Sequence, residues 1–262
     1  MTYLQFLAIF LAPPLLVTAL LARYARRSPA ADPRLWRTGL SVLALLWVAA
    51  WIWTTPWDSW IIHRGVWTYP EGRVLATLFR IPLEEYVFMA AQTLTVGLWT
   101  LCRISVTPAT TRGSGNSRRP RALWGGAWLL AAAVGTVLAL QHPSGTYLGS
   151  MLLWFGPLLT VQNLVGADVL RDCRRVRLSS LLPVVGYLWV ADRIAIGLDI
   201  WRISTTRTYG PTMLGLPLEE AAFFLLTSLL VTNGLVLAAH PRIQQRIHLA
   251  PAARDLRVQV AP

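Results

Sequence analysis

The sequence predicts an all-α membrane protein with seven transmembrane helices, and three observations carry that expectation. Of its 262 residues 55% are hydrophobic and only 14% charged, where soluble domains run at about 25% charged. Seven windows are apolar over the roughly 19–20 residues that cross a bilayer, and mean hydropathy is +0.48. Arginines crowd every second loop between those windows. The same apolar content excludes a disordered chain, and two cysteines, Cys102 and Cys173, cannot staple one of this length.

Taken in order, the spans are expected over residues 2–22, 36–57, 80–101, 122–140, 146–166, 179–198 and 213–238. The first lacks a basic stretch before its apolar run and a small-residue cleavage motif, so it reads as a span and not a signal peptide. Pro13-Pro14 and Pro157 fall inside spans and predict kinks, because membrane helices tolerate proline. Both cysteines fall near the ends of spans on the arginine-rich side and read as packing residues in a reducing compartment.

All 24 basic residues are arginine. With no lysine there is no Schiff base, which excludes retinal-type light receptors. Arg23, Arg26, Arg27, Arg34 and Arg37 follow the first span, and Arg103, Arg112, Arg118, Arg119 and Arg121 follow the third. Arg171, Arg174, Arg175 and Arg177 follow the fifth, and Arg242, Arg246, Arg254 and Arg257 the seventh. The positive-inside rule then puts the amino terminus outside and the carboxyl terminus in the cytoplasm. The net charge of +12 is accounted for by topology and by anionic headgroups, so nucleic acid is not an expected partner.

The acids do the opposite. Asp58, Glu71, Glu84, Glu85, Asp192, Asp199, Glu219 and Glu220 lie at or near the outer face, and only four others share the arginine-rich loops. A carboxylate at membrane depth costs up to about 2.5–3.5 kcal/mol, so a cluster of them marks function. They are also repeated. Ile81-Pro82-Leu83-Glu84-Glu85 recurs 135 residues later as Leu216-Pro217-Leu218-Glu219-Glu220, and Asp58 precedes Trp67 by nine residues just as Asp192 precedes Trp201. The chain reads as two parallel three-helix repeats, residues 1–121 and 141–262, joined by a linking fourth helix within 122–140.

Proline suits the first helical position, and the two glutamates after it would sit in the first turn, where the helix dipole favours carboxylates. That alone is an ordinary helix start. At helical spacing, however, Glu85 heads a stripe of Phe88, Met89 and Gln92, and Glu220 one of Phe223, Phe224 and Thr227. Trp51, Trp53, Trp57, Trp60, Trp67 and Tyr69 crowd the first outer region, where an interfacial belt explains part of the enrichment. Aromatic faces stabilise cations without trapping them, and carboxyl groups in different surroundings divide into acid and base. Those are the parts needed to protonate an alkene, guide a carbocation and remove another proton.

The doubled Pro-Leu-Glu-Glu, the Trp57-Asp58 and Gly65-Val66-Trp67-Thr68-Tyr69 stretches and the Asp192…Trp201 repeat resemble the membrane-integral lycopene cyclases, found as two small subunits or as one fused chain. The resemblance covers nearly the whole chain. It implies closure of the acyclic ends of lycopene or another acyclic carotenoid into ionone-type rings, with no redox change and no cofactor. It further implies Glu85 and Glu220 as an acid/base pair, Glu84 and Glu219 as supports or alternates, and Asp58 and Asp192 as orienting groups. Trp57, Trp67, Tyr69, Phe88, Trp201, Phe223 and Phe224 would line the substrate. The implied partners are the carotenoid, the lipid bilayer of the cell membrane and other enzymes of carotenoid synthesis.

Other readings have weaker support. Gly113-Ser114-Gly115 lacks the third glycine of a dinucleotide fingerprint, so no nucleotide is expected. A membrane prenyltransferase would need aspartates for Mg²⁺. Asp168 and Asp172 share a helix face, but Arg171, Arg174 and Arg175 surround them and predict surface ion pairs. A proton-coupled transporter would carry acids near mid-membrane, and these lie at one end. His63, His142, His240 and His248 have no partner at metal-ligand spacing, so no metal is expected. Gln162-Asn163 predicts hydrogen bonds between helices.

Overall fold

A computed structural model describes residues 1–107 and 117–247. Arg112, Gly113-Ser114-Gly115, His248, Arg254, Asp255 and Arg257 lie outside the described residues. Seven helices are long and apolar enough to cross a membrane. We label them α1 (Tyr3–Arg27), α2 (Pro33–His63), α3 (Leu83–Val106), α4 (Arg118–Gln141), α5 (Thr146–Asp172), α6 (Arg174–Gly197) and α7 (Leu218–Ala239). Several outrun their apolar windows, because amphipathic turns continue each helix past the hydrocarbon. Asp32 starts α2 early, its carboxylate accepting from the Arg34 N–H at 2.8 Å.

Two helices expected to kink at their prolines carry a backbone irregularity. The irregularity in α1 is a π-helical turn at Leu7–Leu11, just before Pro13-Pro14. In α5 the non-helical residue is Gly166 (φ −158°), not Pro157. Glycine adopts what the neighbouring turns require, whereas Pro157 is accommodated within the helix.

The bundle has α3 and α7 at its centre. They pack on each other, α3 also on α1, α2 and α6, and α7 on α5, α6 and α2. The contacts of α3 with α1 and α2, and of α2 with α7, are matched by those of α7 with α5 and α6, and of α6 with α3. The fourth helix stands outside this scheme and packs chiefly along α5. The reason is steric: Gly135 and Gly149 face each other, and a methyl carbon at Gly149 would stand 2.5 Å from the Ala139 nitrogen and 2.7 Å from the Gly135 oxygen. Small residues let membrane helices touch backbone to backbone.

Short strands that no sequence signal announced cap the acid-rich end. β1 (Trp67–Thr68) pairs antiparallel with β4 (Arg202–Ile203), binding one half to the other. β2 (Thr77–Leu78) pairs with β3 (Ile81–Pro82), and β5 (Thr212–Met213) with β6 (Leu216–Pro217). Each of these hairpins turns through two residues at positive φ, Phe79 (+53°) and Arg80 (+70°) in the first, Leu214 (+52°) and Gly215 (+81°) in the second. Such turns suit the strand twist, but a side chain there costs about 1 kcal/mol, and only Gly215 avoids that strain.

The hairpins fix where α3 and α7 begin. Pro82 and Pro217 sit at the N-cap and end a strand, one residue before the helical position expected of them. The peptide N–H groups of Leu83 and Leu218 donate to Ala76 and Pro211 oxygens at 3.0 and 3.1 Å. Those of Tyr3 and Tyr147 donate to Arg73 and Arg207 oxygens at 2.8 and 3.2 Å, tying the first helix of each half to its cap.

At the opposite end, Asp168 is fully buried and forms a two-pronged pair with Arg246, including Nη1 to Oδ1 at 3.0 Å. Arg242 meets Asp172 at 2.5 Å. The sequence pointed to the neighbouring Arg171, Arg174 and Arg175; the partners are instead the arginines after α7, because a buried face of α5 turns these acids toward that segment. Removing one member of such a pair strands the other. Since both arginines are partly exposed, Asp168→Ala is expected to cost about 2–3 kcal/mol, read as a lower midpoint of denaturant unfolding in micelles; an unchanged midpoint would show the pair to be energetically idle. Gln162 bonds across to the Leu230 oxygen at 2.8 Å as expected, but Asn163 bonds to Leu159 in its own helix.

Candidate active site

Six carboxylates converge beneath the caps: Asp58, Glu84, Glu85, Asp192, Glu219 and Glu220 are all buried, none more than 6% exposed. They divide by what they touch. Glu84 and Glu219 accept the peptide N–H groups of Leu75 and Tyr209, both at 2.8 Å. They hold the loops before each hairpin onto the first turn of α3 and α7. Glu85, Asp192 and Glu220 instead line one small chamber between the halves, together with Tyr3, Trp67, Tyr69, Phe88, Trp201, Phe223 and Phe224.

Within the chamber each acid has its own donors. Glu85 Oε2 accepts from the Tyr3 hydroxyl at 2.7 Å and the Tyr69 hydroxyl at 3.2 Å. Glu220 Oε1 accepts from Trp67 Nε1 at 3.0 Å, a bond from the first half of the chain to the second. Asp192 accepts from Trp201 Nε1 at 3.0 Å. Burial, and then the charges of Glu85 and Asp58, hold the Tyr69 hydroxyl well above the ordinary phenol range, so it stays a proton donor to Glu85.

Asp58 and Trp57 stand one layer behind. Asp58 is buried with Oδ1 unpartnered. Trp57 stacks on Phe223 at 5.8 Å between centroids and donates to the Ser150 hydroxyl at 3.2 Å. Trp67, Phe224 and Phe155 meet Phe223 edge-on or tilted, at 5.6, 5.3 and 6.4 Å. The two stripes read from the sequence face each other directly, and Gln92 Nε2 donates to Thr227 Oγ1 at 2.8 Å.

Sequence reasoning missed Tyr3, Tyr147 and Phe155. Tyr147 packs edge-on against Trp67 at 5.7 Å, its hydroxyl buried without a hydrogen-bond partner. A signal existed for two of them: Tyr3 and Tyr147 stand at matching positions, each at the start of an apolar span.

Three carboxylates and two phenols in an aromatic box can deliver a proton to an apolar molecule and withdraw one. Among the described residues, no group of three His, Cys, Asp or Glu is arranged to hold a metal ion.

A family model described as lycopene cyclase matches residues 1–102 and 144–237. The chain belongs to the lycopene cyclase family. The matched segments carry every chamber residue, and the gap between them contains α4, which contributes none. A lycopene beta-cyclase of Halobacterium salinarum is 39% identical over 238 residues, covering 91% of this chain and 96% of that one. The bifunctional lycopene cyclase/phytoene synthase of Leptosphaeria maculans is 34% identical over 240 residues, 85% of this chain but 38% of its own length. That of Phaffia rhodozyma is 31% identical over 234 residues, 80% of this chain and 33% of its own. No solved structure matches the chain.

Proposed function

We propose that this protein closes the acyclic ends of lycopene into β-type rings, as an isomerase without redox chemistry. The observation that carries the reading is the single aromatic chamber where Glu85 of the first Pro-Leu-Glu-Glu and Glu220 of the second meet. One carboxylic acid protonates the terminal double bond of the acyclic end. The internal double bond attacks the resulting tertiary cation and closes the six-membered ring, and a carboxylate removes the ring proton that restores an alkene. Atoms balance, so substrate and product are isomers.

Two hydroxyls within hydrogen-bonding distance of Glu85 complement a negative charge, while Glu220 accepts the Trp67 indole N–H and faces the Tyr147 hydroxyl. We read Glu220 as the proton donor, Glu85 as the acceptor and Asp192 as the group that orients Trp201. The walls of Phe88, Phe223, Phe224, Trp67 and Trp201 stabilise the travelling cation by their π faces. Asp58 and Trp57 brace those walls.

The same reading takes residues 1–121 and 141–262 as parallel repeats with 122–140 as linker. The equivalent hydrogen bonds of Glu84 and Glu219 support it, as do those of Tyr3 and Tyr147. The arginine distribution supports an amino terminus outside the cell membrane, with the chamber at the outer leaflet, where an acyclic carotenoid already dissolved in lipid would arrive.

Expression in a lycopene-accumulating bacterium, with pigments separated by chromatography, tests the activity directly. Cyclic carotenes are expected at the expense of lycopene; unchanged lycopene beside a well-inserted protein would reject the assignment.

A further inference from the structure

The chamber leaves only about 20 Å³ of free space, room for about one water. A carotenoid forty carbons long must keep most of its length elsewhere. Directly beside the chamber, an apolar groove of about 550 Å³ runs between α2, α3, α5 and α7. Leu45, Ala49, Val96, Phe155, Leu158 and Val231 are among its walls. Phe223 lines both the groove and the chamber. Its lining runs along α2 from Thr54 to Leu45 and along α7 from Phe223 to Val231, about 12–14 Å at the rise of a helix.

A second groove, of about 230 Å³, lies on the other flank between α1, α3 and α6, with Leu11, Val17 and Trp99 in its wall. It shares Gln92 with the larger groove and no residue with the chamber. The Gln92–Thr227 hydrogen bond lies between the two. The flanks are therefore not equivalent, and of these two grooves the larger shares a wall residue, Phe223, with the chamber while the smaller shares none.

We propose that the larger groove holds the linear polyene of the carotenoid, with the reacting end reaching the chamber by displacing Phe223, the wall residue that the two share. This rests on the cyclase reading and adds the place where the rest of the substrate lies. A polyene carries no hydrogen-bonding group, so an apolar channel a little under half a bilayer long, open to lipid and abutting the chamber at Phe223, matches its chemistry. Held this way, the far end of the molecule points to the opposite leaflet. A second ring then forms only after the carotenoid leaves and returns reversed.

The test fills one groove at a time. Ala49 and Val17 both face lipid at their groove walls, so a tryptophan at either is tolerated by the fold. Ala49→Trp is expected to lower lycopene turnover at least tenfold, while Val17→Trp stays within twofold of the parent. Ala49 is nine residues from Asp58, about 13 Å along α2. A truncated polyene with one acyclic end, too short to reach it, should be cyclised by Ala49→Trp at the parental rate, which separates a plugged groove from a damaged protein. Equal losses in the two variants, or loss of the short substrate together with lycopene, would overturn the proposal. Lycopene retained on protein purified from the accumulating host, measured in a Glu220→Gln background, tests the groove independently of turnover: Ala49→Trp should lose it and Val17→Trp keep it. Retention that follows this pattern with no cyclisation by the parent would leave the groove standing and reject the cyclase reading. Equal retention would reject the groove alone.

Discussion

Glu220→Gln is expected to abolish ring formation, with turnover falling by roughly the 10²–10⁴-fold that positioned acid–base groups supply. Glutamine has the shape of glutamate, and its amide oxygen still accepts from Trp67 Nε1, so the chamber keeps its form while losing its proton donor. Glu85→Gln should fall as far, because both acids line one chamber between the halves. Half of the parental rate in either variant would instead mean two independent sites. The two losses differ in kind. If Glu220 donates the proton and Glu85 accepts one, Glu85→Gln still protonates lycopene reversibly, and lycopene recovered from D₂O should carry deuterium on the CH carbon of its terminal double bonds. Glu220→Gln should return it unlabelled. Label in the Glu220 variant alone would reverse the assignment.

Gly149→Leu is expected to have the largest effect on the fold. The groups that a side chain at Gly149 would strike belong to the backbone of α4, the Ala139 nitrogen and the Gly135 oxygen. Backbone cannot rotate away as a side chain can. Overpacking usually costs about 1–3 kcal/mol, and here the whole α4–α5 seam must separate, so about 3 kcal/mol or more is expected. Gly126→Leu on α4, where a methyl carbon would meet nothing within 4 Å, serves as the control and should unfold at the parental denaturant concentration. If Gly149→Leu does so too, close approach of these helices is not what holds α4 in place.

Apolar windows located the seven helices long and apolar enough to cross a membrane, since apolar content follows from the energetics of lipid against water and needs no tertiary information. Helix ends were less readable. The starts of α3 and α7 depend on hairpins whose strands are two residues long, and the turn at Phe79-Arg80 carries neither the glycine nor the asparagine that usually marks it. The carboxylates could be found because an acid in a span is costly and because the motif occurs twice. Their division of labour could not. Glu84 and Glu85 are neighbours in the chain, and only the fold turns one to the Leu75 backbone and the other to Tyr3 and Tyr69. Trp67 reaches Glu220 across 153 residues of sequence, a distance over which no periodicity speaks. Asp168 shows the converse error: nearby arginines suggested local pairs, while burial of that face of α5 handed the acid to Arg246.

The tightness of the chamber bears on which products can form. A tertiary carbocation in water is captured within its first collisions and becomes an alcohol. Here the free space amounts to about 20 Å³, roughly one water, so an end group enters only by pushing the aromatic walls apart and leaves no room for water beside it. The nearest oxygens are then carboxylates and phenols, among them Glu85, already hydrogen-bonded to Tyr3 and Tyr69. On the proposed mechanism the cation, deprived of a mobile nucleophile, has elimination as its open route, and hydrated by-products are expected to be suppressed by shape.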